Sequence, residues 1–447
     1  MSYQSFGMQK GIQPIRPALK KCINLFSNKL FSSNISTQLV IGYLILSIPI
    51  GTLLIFFDKE PSRNDFPEHW ARAQQVASFQ FIATPDPSGT GNYGSISDNG
   101  TFFPFNNTAI NSPFVYLPSI IGMGHLRISC FLTLLFSVAC ISASIMLAKK
   151  YCLLIFAAAI LPTFFLSSIY PTADAVSNAI SFLWIAYMLY LLQQQSISLN
   201  EIIMCTLLAS ALGQIKTTCL CLLLLLTLPA IQTYRNNKIL DLRFAIPLFA
   251  GVLSSFIWMN AVKDIPPSAV TTVEQYSAAK QDVFNNPDKV FTSLFVTLFN
   301  PLDRTNDIHD TGRNIQFFTG AEHTQLPLGT MFPILFAFVI LVLFGSQKAP
   351  TLSSAQKFTV ITTIIVFYAL TCVGLIVSWG GVSLGSYASG LQSRYFIPII
   401  IPLVLCIPKF ELSAAKTKTV KVFCLALILW SYIGLLFAHI FVFPWQS

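Results

Sequence analysis

The sequence TQLVIGYLILSIPIGTLLIFF, Thr37 to Phe57, runs directly into DKEPSRNDFPEHWAR, Asp58 to Arg72. The first stretch is apolar, uncharged and long enough to cross a bilayer as a helix. The second stretch places acids, a histidine and basic residues within a few turns of chain. This junction predicts a membrane helix that ends in a polar loop with candidate catalytic side chains.

Composition extends the apolar pattern to the whole chain. Of 447 residues, 54% are hydrophobic and 10% are charged, whereas soluble domains carry about 25% charged residues. The sequence therefore predicts an all-α, polytopic integral membrane protein with about eleven transmembrane helices. We place these at 37–57, 127–148, 151–171, 175–193, 199–215, 217–233, 242–262, 327–346, 357–379, 395–408 and 419–441. The apolar stretch 113–124 is shorter, and we expect it to be re-entrant or interfacial.

The positions of the basic residues predict the orientation. A net charge of +9 does not indicate a nucleic-acid partner here, because the lysines and arginines are scattered through short loops. Most lie in the N-terminal segment and in alternate loops that hold few acids, as the positive-inside rule requires. We therefore expect a basic cytoplasmic segment at 1–36, without the features of a signal peptide, and a membrane domain at 37–447. Its outward loops are 58–126, 263–326 and 380–394, where neither ATP nor a nucleotide sugar is available.

The first outward loop contains the densest group of candidate catalytic residues. If a helix begins at Phe66, then Asp65 is its N-cap, and Asp65, Glu68, His69 and Arg72 share one face. A carboxylate there is suited to deprotonating a hydroxyl group, and an arginine to binding a phosphate. The alternative is an ordinary helix cap followed by a solvated helix face.

Several short motifs carry a resemblance to a known class of membrane enzymes. DFPEHWAR at Asp65–Arg72 resembles the D-E-P-x-H-x-x-R-A signature of a family of predicted bacterial polytopic membrane proteins, although Phe66 stands where that signature has Glu. YPTADAVSN at Tyr170–Asn178, KTT at Lys216–Thr218 and QSRYFIP at Gln392–Pro398 resemble the same family in the same order. The layout also resembles the membrane glycosyltransferases of the GT-C architecture, including the serotype-converting glucosyltransferases that modify O-antigen.

This resemblance implies a reaction and a location. GT-C enzymes transfer a sugar from a polyprenyl phosphate to an acceptor outside the cytoplasm, and their catalytic base is an acid of the first outward loop. Here the resemblance implies Asp65 as the base, Glu68 as the second choice and His69 beside them. It implies a bacterial inner-membrane protein with a periplasmic site, a polyprenyl-phosphate-linked sugar, with glucose as the expected sugar, and a polysaccharide or glycolipid acceptor such as O-antigen.

The leaving phosphate requires a fixed cation, because its charge grows in a site of low dielectric constant. Lys216 is the first candidate, since it lies between two apolar runs where a lysine is costly. Arg394 is the second candidate and Arg72 the third. The alternatives are a lysine that extends to the interface and an arginine that anchors a helix there.

Further polar residues are candidate substrate contacts. Gln392 and Tyr395 flank Arg394, and Asp174 follows Tyr170 and Pro171 at the outer end of a predicted span. Asp174 either orients a sugar or caps the following helix, and spacing alone favours the cap.

A last group lies in the second outward loop. Asp307, His309 and Asp310 are spaced to bind a divalent metal, Mg²⁺ or Mn²⁺, which some GT-C enzymes use, or to contact the acceptor. The spacing of these residues is more typical of an ordinary solvated loop.

Two other functions are compatible with this layout. A transporter or flippase of lipid-linked sugars should carry charged residues near the membrane midplane, whereas these cluster at the outer ends of the spans, apart from Lys216. A polysaccharide polymerase is expected to have arginine-rich outward loops, but the outward loops here are net acidic. The sequence therefore favours the glycosyltransferase.

Overall fold

A computed structural model describes residues 34–58, 66–97, 99–122, 124–268, 271–299, 328–344, 351–410 and 413–442. Most of these residues are helical. The α-helices are α1 Ile35–Phe57, α2 Phe66–Ala77, α3 Asn106–Ala109, α4 Leu117–Ile120, α5 Leu126–Ala148, α6 Cys152–Ala159, α7 Pro162–Ser167, α8 Ala173–Leu192, α9 Leu199–Gly213, α10 Thr227–Asn237, α11 Ala245–Ala261, α12 Val273–Asn285, α13 Pro287–Phe299, α14 Leu328–Phe344, α15 Ser354–Ser378, α16 Ile400–Leu405 and α17 Ala414–Phe437. Segments of 3₁₀ helix and a π-helical turn connect or extend them, at Pro113–Tyr116, Lys149–Tyr151, Thr217–Leu226, Leu242–Phe244, Ser393–Ile399 and Ala438–Val442.

One small sheet interrupts the helical pattern. Its strands are β1 Thr84–Pro85, β2 Tyr93–Ile96 and β3 Phe102–Pro104, paired antiparallel in that order. Gly94 pairs with Thr84 on one side and with Pro104 on the other. A side chain at Gly94 would collide with the Phe103 carbonyl, so this position requires glycine. The sheet lies within the loop between α1 and α5.

Seven helical runs are long and apolar enough to cross a membrane, among the residues that the structure describes. They are Ile35–Phe57, Leu126–Ala159, Ala173–Leu192, Thr217–Asn237, Leu242–Ala261, Ser354–Ser378 and Thr419–Phe441. Three shorter apolar helices accompany them, at Leu199–Gly213, Gly329–Phe344 and Arg394–Leu405. The prediction of an all-α polytopic membrane protein is confirmed.

The predicted span at 151–171 requires correction, because the structure divides it into two short helices. Helix α6 ends at Ala159, and α7 begins at Pro162. Leu161 is extended, with ψ of 131°, as the residue before a proline prefers. Both short helices are packed inside the protein, so their ends are shielded from lipid.

Helix α8 forms the centre of the bundle and is almost entirely buried. It packs against α5, α9 and α10. The segment Thr217–Leu226 beside it is a 3₁₀ helix, much longer than the three or four residues usual for that form. The buried Trp184 of α8 donates its indole N–H to the Leu222 carbonyl at 2.9 Å, which satisfies a backbone group inside the bundle.

The connection at Lys216 is held by close contact between α9 and α11. The Gly213 and Gly251 backbones meet there, and a Cβ on Gly213 would collide with the Gly251 carbonyl oxygen. Gln214 donates to the Ser254 carbonyl at 2.7 Å, and the Ser254 hydroxyl donates to the Ser210 carbonyl at 2.9 Å. Small residues and short polar links of this kind are typical of helix contacts in membranes.

The loop predicted at 263–326 contains two helices that the sequence analysis did not anticipate, α12 and α13. Both pack against α15. A capping box at Thr272 and Gln275 starts α12, and this signal was available in the sequence. The remainder of that loop, from 300, lies outside the described residues.

Candidate functional site

An ion-pair cluster joins three distant parts of the chain at one end of the bundle. The Asp174 carboxylate, in the first turn of α8, contacts the Lys216 ammonium group and lies 2.9 Å from Arg394 Nε. Asp174 and Arg394 are almost fully buried, whereas the side chain of Lys216 is 29% exposed. The cluster combines two cations with one carboxylate, so it carries a net positive charge.

Tyr395 completes this cluster, with both cations lying over its ring. The Lys216 ammonium lies 4.6 Å from the centre of its ring, and the Arg394 guanidinium carbon lies 5.4 Å away. Cation–π contacts of this length stabilise both positions. Lys216, Arg394, Tyr395 and Asp174 were separate candidates in the sequence, and the structure brings all four together.

Asp174 does not cap α8 in the way its spacing suggested. The N-cap is Thr172, whose hydroxyl accepts a hydrogen bond from the Ala175 N–H at 3.4 Å. The Asp174 carboxylate is therefore directed to the two cations instead. The cap interpretation of Asp174 is wrong, because the extended Thr172 already satisfies the helix start.

A cleft of about 480 Å³ opens from the ion-pair cluster. Asp174, Lys216 and Arg394 line one part of it, and residues of α11, α12 and α15 are among those that line the rest. The α11 and α15 side includes Trp258, Met259, Leu370, Gly374 and Val377. The cleft thus joins a cationic region to an apolar one.

His69 of α2 lies next to this cluster and is buried. Its Nδ1 accepts a hydrogen bond from the Ala173 N–H at 3.4 Å and lies 2.8 Å from the Tyr116 hydroxyl. Burial lowers the pKa of His69 to about 3, against the opposing effect of Asp174. The imidazole is therefore neutral at physiological pH, with the Ala173 contact favouring the proton on Nε2.

Arg72 and Glu68 are occupied with contacts inside the loop between α1 and α5. The buried Arg72 guanidinium donates to the Phe81 carbonyl at 2.5 Å, to the Asn111 carbonyl at 3.2 Å and to the Gln75 side chain. Glu68 accepts from the Asn107 N–H at 3.1 Å and from its amide group at 3.2 Å. These contacts fix α2 against its loop and give no support to a phosphate role for Arg72 or a base role for Glu68.

The alternative prediction, a solvated face on α2, is also wrong for two of its residues. The helix begins at Phe66 as expected, but His69 and Arg72 are buried rather than exposed. Asp65 directly precedes this helix and lies outside the described residues. Asp307, His309 and Asp310 lie outside them as well.

Gln392 occupies a position close to Arg394 in the chain, and its side-chain oxygen is buried. No hydrogen-bond partner of this oxygen is found among the described residues. No group of three or more His, Cys, Asp or Glu side chains comes together as a metal site within the described part of the chain. The predicted metal ligands Asp307, His309 and Asp310 lie outside the described residues, so this absence does not extend to them.

Sequence reasoning missed a second buried polar cluster, centred on Asp58. The Tyr170 hydroxyl donates to Asp58 Oδ2 at 2.6 Å, and His439 Nδ1 lies 3.2 Å from the same oxygen. Asp58 and His439 are both almost fully buried. The signal for Asp58 was its place directly after the first apolar run, but nothing local indicated His439.

Comparison with known proteins places this architecture in a family. The family model described as "Predicted membrane protein (DUF2142)" matches residues 90–404. The chain belongs to this DUF2142 family. The matched part of this DUF2142 protein includes Asp174, Lys216 and Arg394, while Asp58 and α2 precede it.

Two further comparisons concern individual proteins. No curated protein matches the DUF2142 chain in sequence. Among solved structures, it is similar to the archaeal oligosaccharyltransferase AglB from Archaeoglobus fulgidus, solved with an inhibitory peptide and a dolichol-phosphate, with a TM-score of 0.38 and 12% identity. The similarity covers 90% of this chain and 56% of the AglB chain.

Proposed function

We propose that this protein is a membrane glycosyltransferase that transfers a sugar from a polyprenyl-phosphate donor to a polysaccharide or glycolipid acceptor. The observation that supports this proposal is the convergence of Lys216 and Arg394 at the cationic end of a cleft whose remainder is largely apolar. An amphiphile with an anionic head matches that distribution of charge and apolar surface.

The electrostatics of the cluster suit a phosphate leaving group. In a sugar phosphodiester the phosphate carries one negative charge, and departure of the sugar leaves a phosphate monoester with more charge. The two cations stabilise this product and the transition state more strongly than the donor, which is the requirement for catalysis. Asp174 holds both cations in place by ion pairing.

The base in this mechanism is Asp65, which removes a proton from the acceptor hydroxyl. That hydroxyl attacks C1 of the sugar from the face opposite the phosphate, so a single displacement inverts the anomeric configuration. Asp65 directly precedes Phe66, whose ring packs edge-on against Tyr170 at 5.5 Å, four residues before Asp174. Burial lowers the pKa of His69 to about 3, so its imidazole is a weak base and is less suited than a carboxylate to take the acceptor proton.

The finer assignments follow the sequence resemblance. They are glucose as the sugar, O-antigen as the acceptor, and a periplasmic site in a bacterial inner membrane. Gln392 and Tyr395 are proposed donor contacts, and Asp307, His309 and Asp310 are proposed contacts to the acceptor or to a divalent metal.

The base assignment is tested by replacing Asp65 with asparagine and, separately, Glu68 with glutamine. Sugar transfer from a polyprenyl-phosphate donor is measured in membranes that contain equal amounts of each variant. We expect Asp65→Asn to lower the rate by about 10²–10⁴-fold, as loss of a general base does, and Glu68→Gln to retain most activity. Full activity in both variants would contradict the mechanism. A protein that only translocates lipid-linked sugars would form no transfer product at all.

The apolar part of the cleft is tested by replacing Gly374 with leucine. Gly374 lines the cleft, and a Cβ there would meet no atom within 4 Å, so the new side chain fills cleft space without displacing protein. We expect a severalfold rise in the KM for a long polyprenyl donor. The matched control is Gly42→Leu in α1, which also has open space around it but lies outside the cleft. Equal effects of the two substitutions would contradict the proposed lipid site.

A further inference from the structure

Helix α13 has an inverted distribution of polar and apolar side chains. Phe291, Phe295 and Phe299 face outward, 69%, 54% and 68% exposed, and their rings form a continuous row with centroid distances of 6.5 Å and 4.5 Å. Ser293 and Thr297 face the protein and are buried. A helix on a water-exposed surface normally has the opposite arrangement, so this outward face is suited to an apolar environment.

Contacts with α15 show at what depth this helix lies. The Tyr368 hydroxyl donates to the Leu294 carbonyl at 2.8 Å. Tyr368 is ten residues from Ser378, the end of α15, which places the contact about 15 Å along that helix. The segment before α12 meets the end itself, because the Thr271 hydroxyl donates to the Ser378 carbonyl at 2.6 Å. Helix α13 therefore lies beside the interior of a membrane span and not at its end.

The buried hydroxyl groups of α13 serve the backbone of segment 379–392. The Gly385 N–H donates to Ser293 Oγ at 2.8 Å, and the Ala388 N–H donates to Thr297 Oγ1 at 2.8 Å. Ser293 in turn donates to the Ser383 carbonyl at 3.1 Å. Non-helical backbone at membrane depth is stable only where its polar groups are satisfied and covered by protein. Helix α13 supplies both the hydrogen bonds and the cover.

We propose that α13 and segment 379–392 form a re-entrant element of the membrane domain, with the phenylalanine row of α13 in contact with lipid acyl chains. The partner of this surface is the hydrocarbon of the bilayer. Helix α13 packs against α15, which has the length and composition of a span, and this contact favours an apolar environment for the row over a purely aqueous one. The element ends at Gln392, two residues before Arg394, so it supports the segment that enters the ion-pair cluster. The inference holds whether or not the protein transfers a sugar.

The test measures which medium surrounds α13. Phe295→Cys is labelled with a nitroxide and reconstituted in phosphatidylcholine vesicles, and collision rates with O₂ and with a water-soluble nickel chelate are compared. The matched control is Ser277→Cys in α12, an exposed position whose neighbours on the helix face, Glu274 and Gln281, are exposed and polar. The half-buried Cys406 and the N-terminal Cys22 are replaced by serine so that the label reports one position.

We expect O₂ collisions to be favoured at position 295 and nickel collisions at position 277. Equal access of the nickel chelate to both positions would place the row in water and overturn the proposal. Protection of position 295 from both reagents would show that another protein surface covers it, and this also would overturn the proposal. Phe291→Cys provides a second reporter on the same row, and monodisperse elution in detergent verifies folding.

Discussion

At the scale of single residues, His69 shows how burial determines chemical behaviour. Its spacing on α2 suggested a titratable group on a polar face, but the imidazole is buried beside Asp174, Lys216 and Arg394. Desolvation lowers its pKa to about 3; Asp174 opposes this shift, and the two cations add to it. The side chain thus acts as a neutral hydrogen-bond acceptor for the Ala173 N–H, which fixes α2 to the start of α8.

The lowered pKa of His69 predicts a pH dependence of stability. The unfolded chain takes up a proton on this histidine below its ordinary pKa of about 6.5, whereas the folded protein does not until about pH 3. Stability contributed by the neutral group is therefore lost as pH falls from about 6.5 toward 3, by at most about 1.4 kcal/mol per pH unit.

The measurement is the thermal unfolding midpoint in detergent as a function of pH. His69→Asn keeps an acceptor oxygen near Nδ1 but does not titrate, so we expect a flatter profile below pH 6.5. An unchanged profile would show that His69 is not the group responsible.

Arg72 illustrates a different outcome at the same scale. An arginine beside a candidate base suggested a phosphate ligand, but its guanidinium donates to the Phe81 and Asn111 carbonyls inside the loop. Burial lowers its pKa to about 10, so it remains charged at neutral pH. Its two terminal NH2 groups are bound by acceptors within the protein, whereas the sequence analysis had assigned the guanidinium to a phosphate ligand.

At the scale of elements, the contact between α9 and α11 sets the geometry of the Lys216 connection. Gly213 meets the Gly251 carbonyl so closely that any Cβ would separate the helices. Gly213→Ala is therefore expected to destabilise the protein by about 1–3 kcal/mol, as overpacking does. The thermal unfolding midpoint in detergent measures this change.

The matched control for that prediction is Gly42→Ala in α1. A Cβ at position 42 meets no atom within 4 Å, and alanine is favoured over glycine inside a helix by about 0.5–1 kcal/mol. We expect this variant to be unchanged or slightly more stable. Equal destabilisation by both substitutions would contradict the role assigned to the close contact.

At the scale of the whole molecule, the Asp58 cluster joins the first membrane helix to the end of the last. Asp58 follows α1, His439 lies in the π-helical turn after α17, and Tyr170 comes from the connection before α8. A buried carboxylate is stable only with such partners. This cluster therefore stabilises the closed arrangement of helices around α8.

A double-mutant cycle tests this closure. Asp58→Asn and His439→Phe are each expected to lower stability, because loss of one partner leaves the other buried without its contact. The pair should show a coupling energy of about 0.5–3 kcal/mol, as contacting residues do. Strict additivity of the two changes in thermal unfolding would show that the residues act independently.

Much of the architecture was predictable because it depends on local pattern. Apolar runs of sufficient length identified most membrane helices, and Phe66 was placed at the start of α2. The break at Leu161 and Pro162 was missed, because the sequence analysis treated 151–171 as one span, although the proline provided the signal. The helices α12 and α13 were missed because their charged and polar residues conceal the apolar row that faces outward from α13.

The sequence by itself determined that this chain is a polytopic membrane protein. It also determined that most charged and histidine residues lie in the polar connections between the apolar runs. Only the tertiary structure decided which of these residues meet. Asp174 pairs with Lys216 and with Arg394 across long stretches of chain. Asp58 contacts His439, which lies near the C-terminal end of the chain. Hydrophobic periodicity extends over a single helix, whereas an ion pair depends on how distant helices pack, and that information is not present in any one segment.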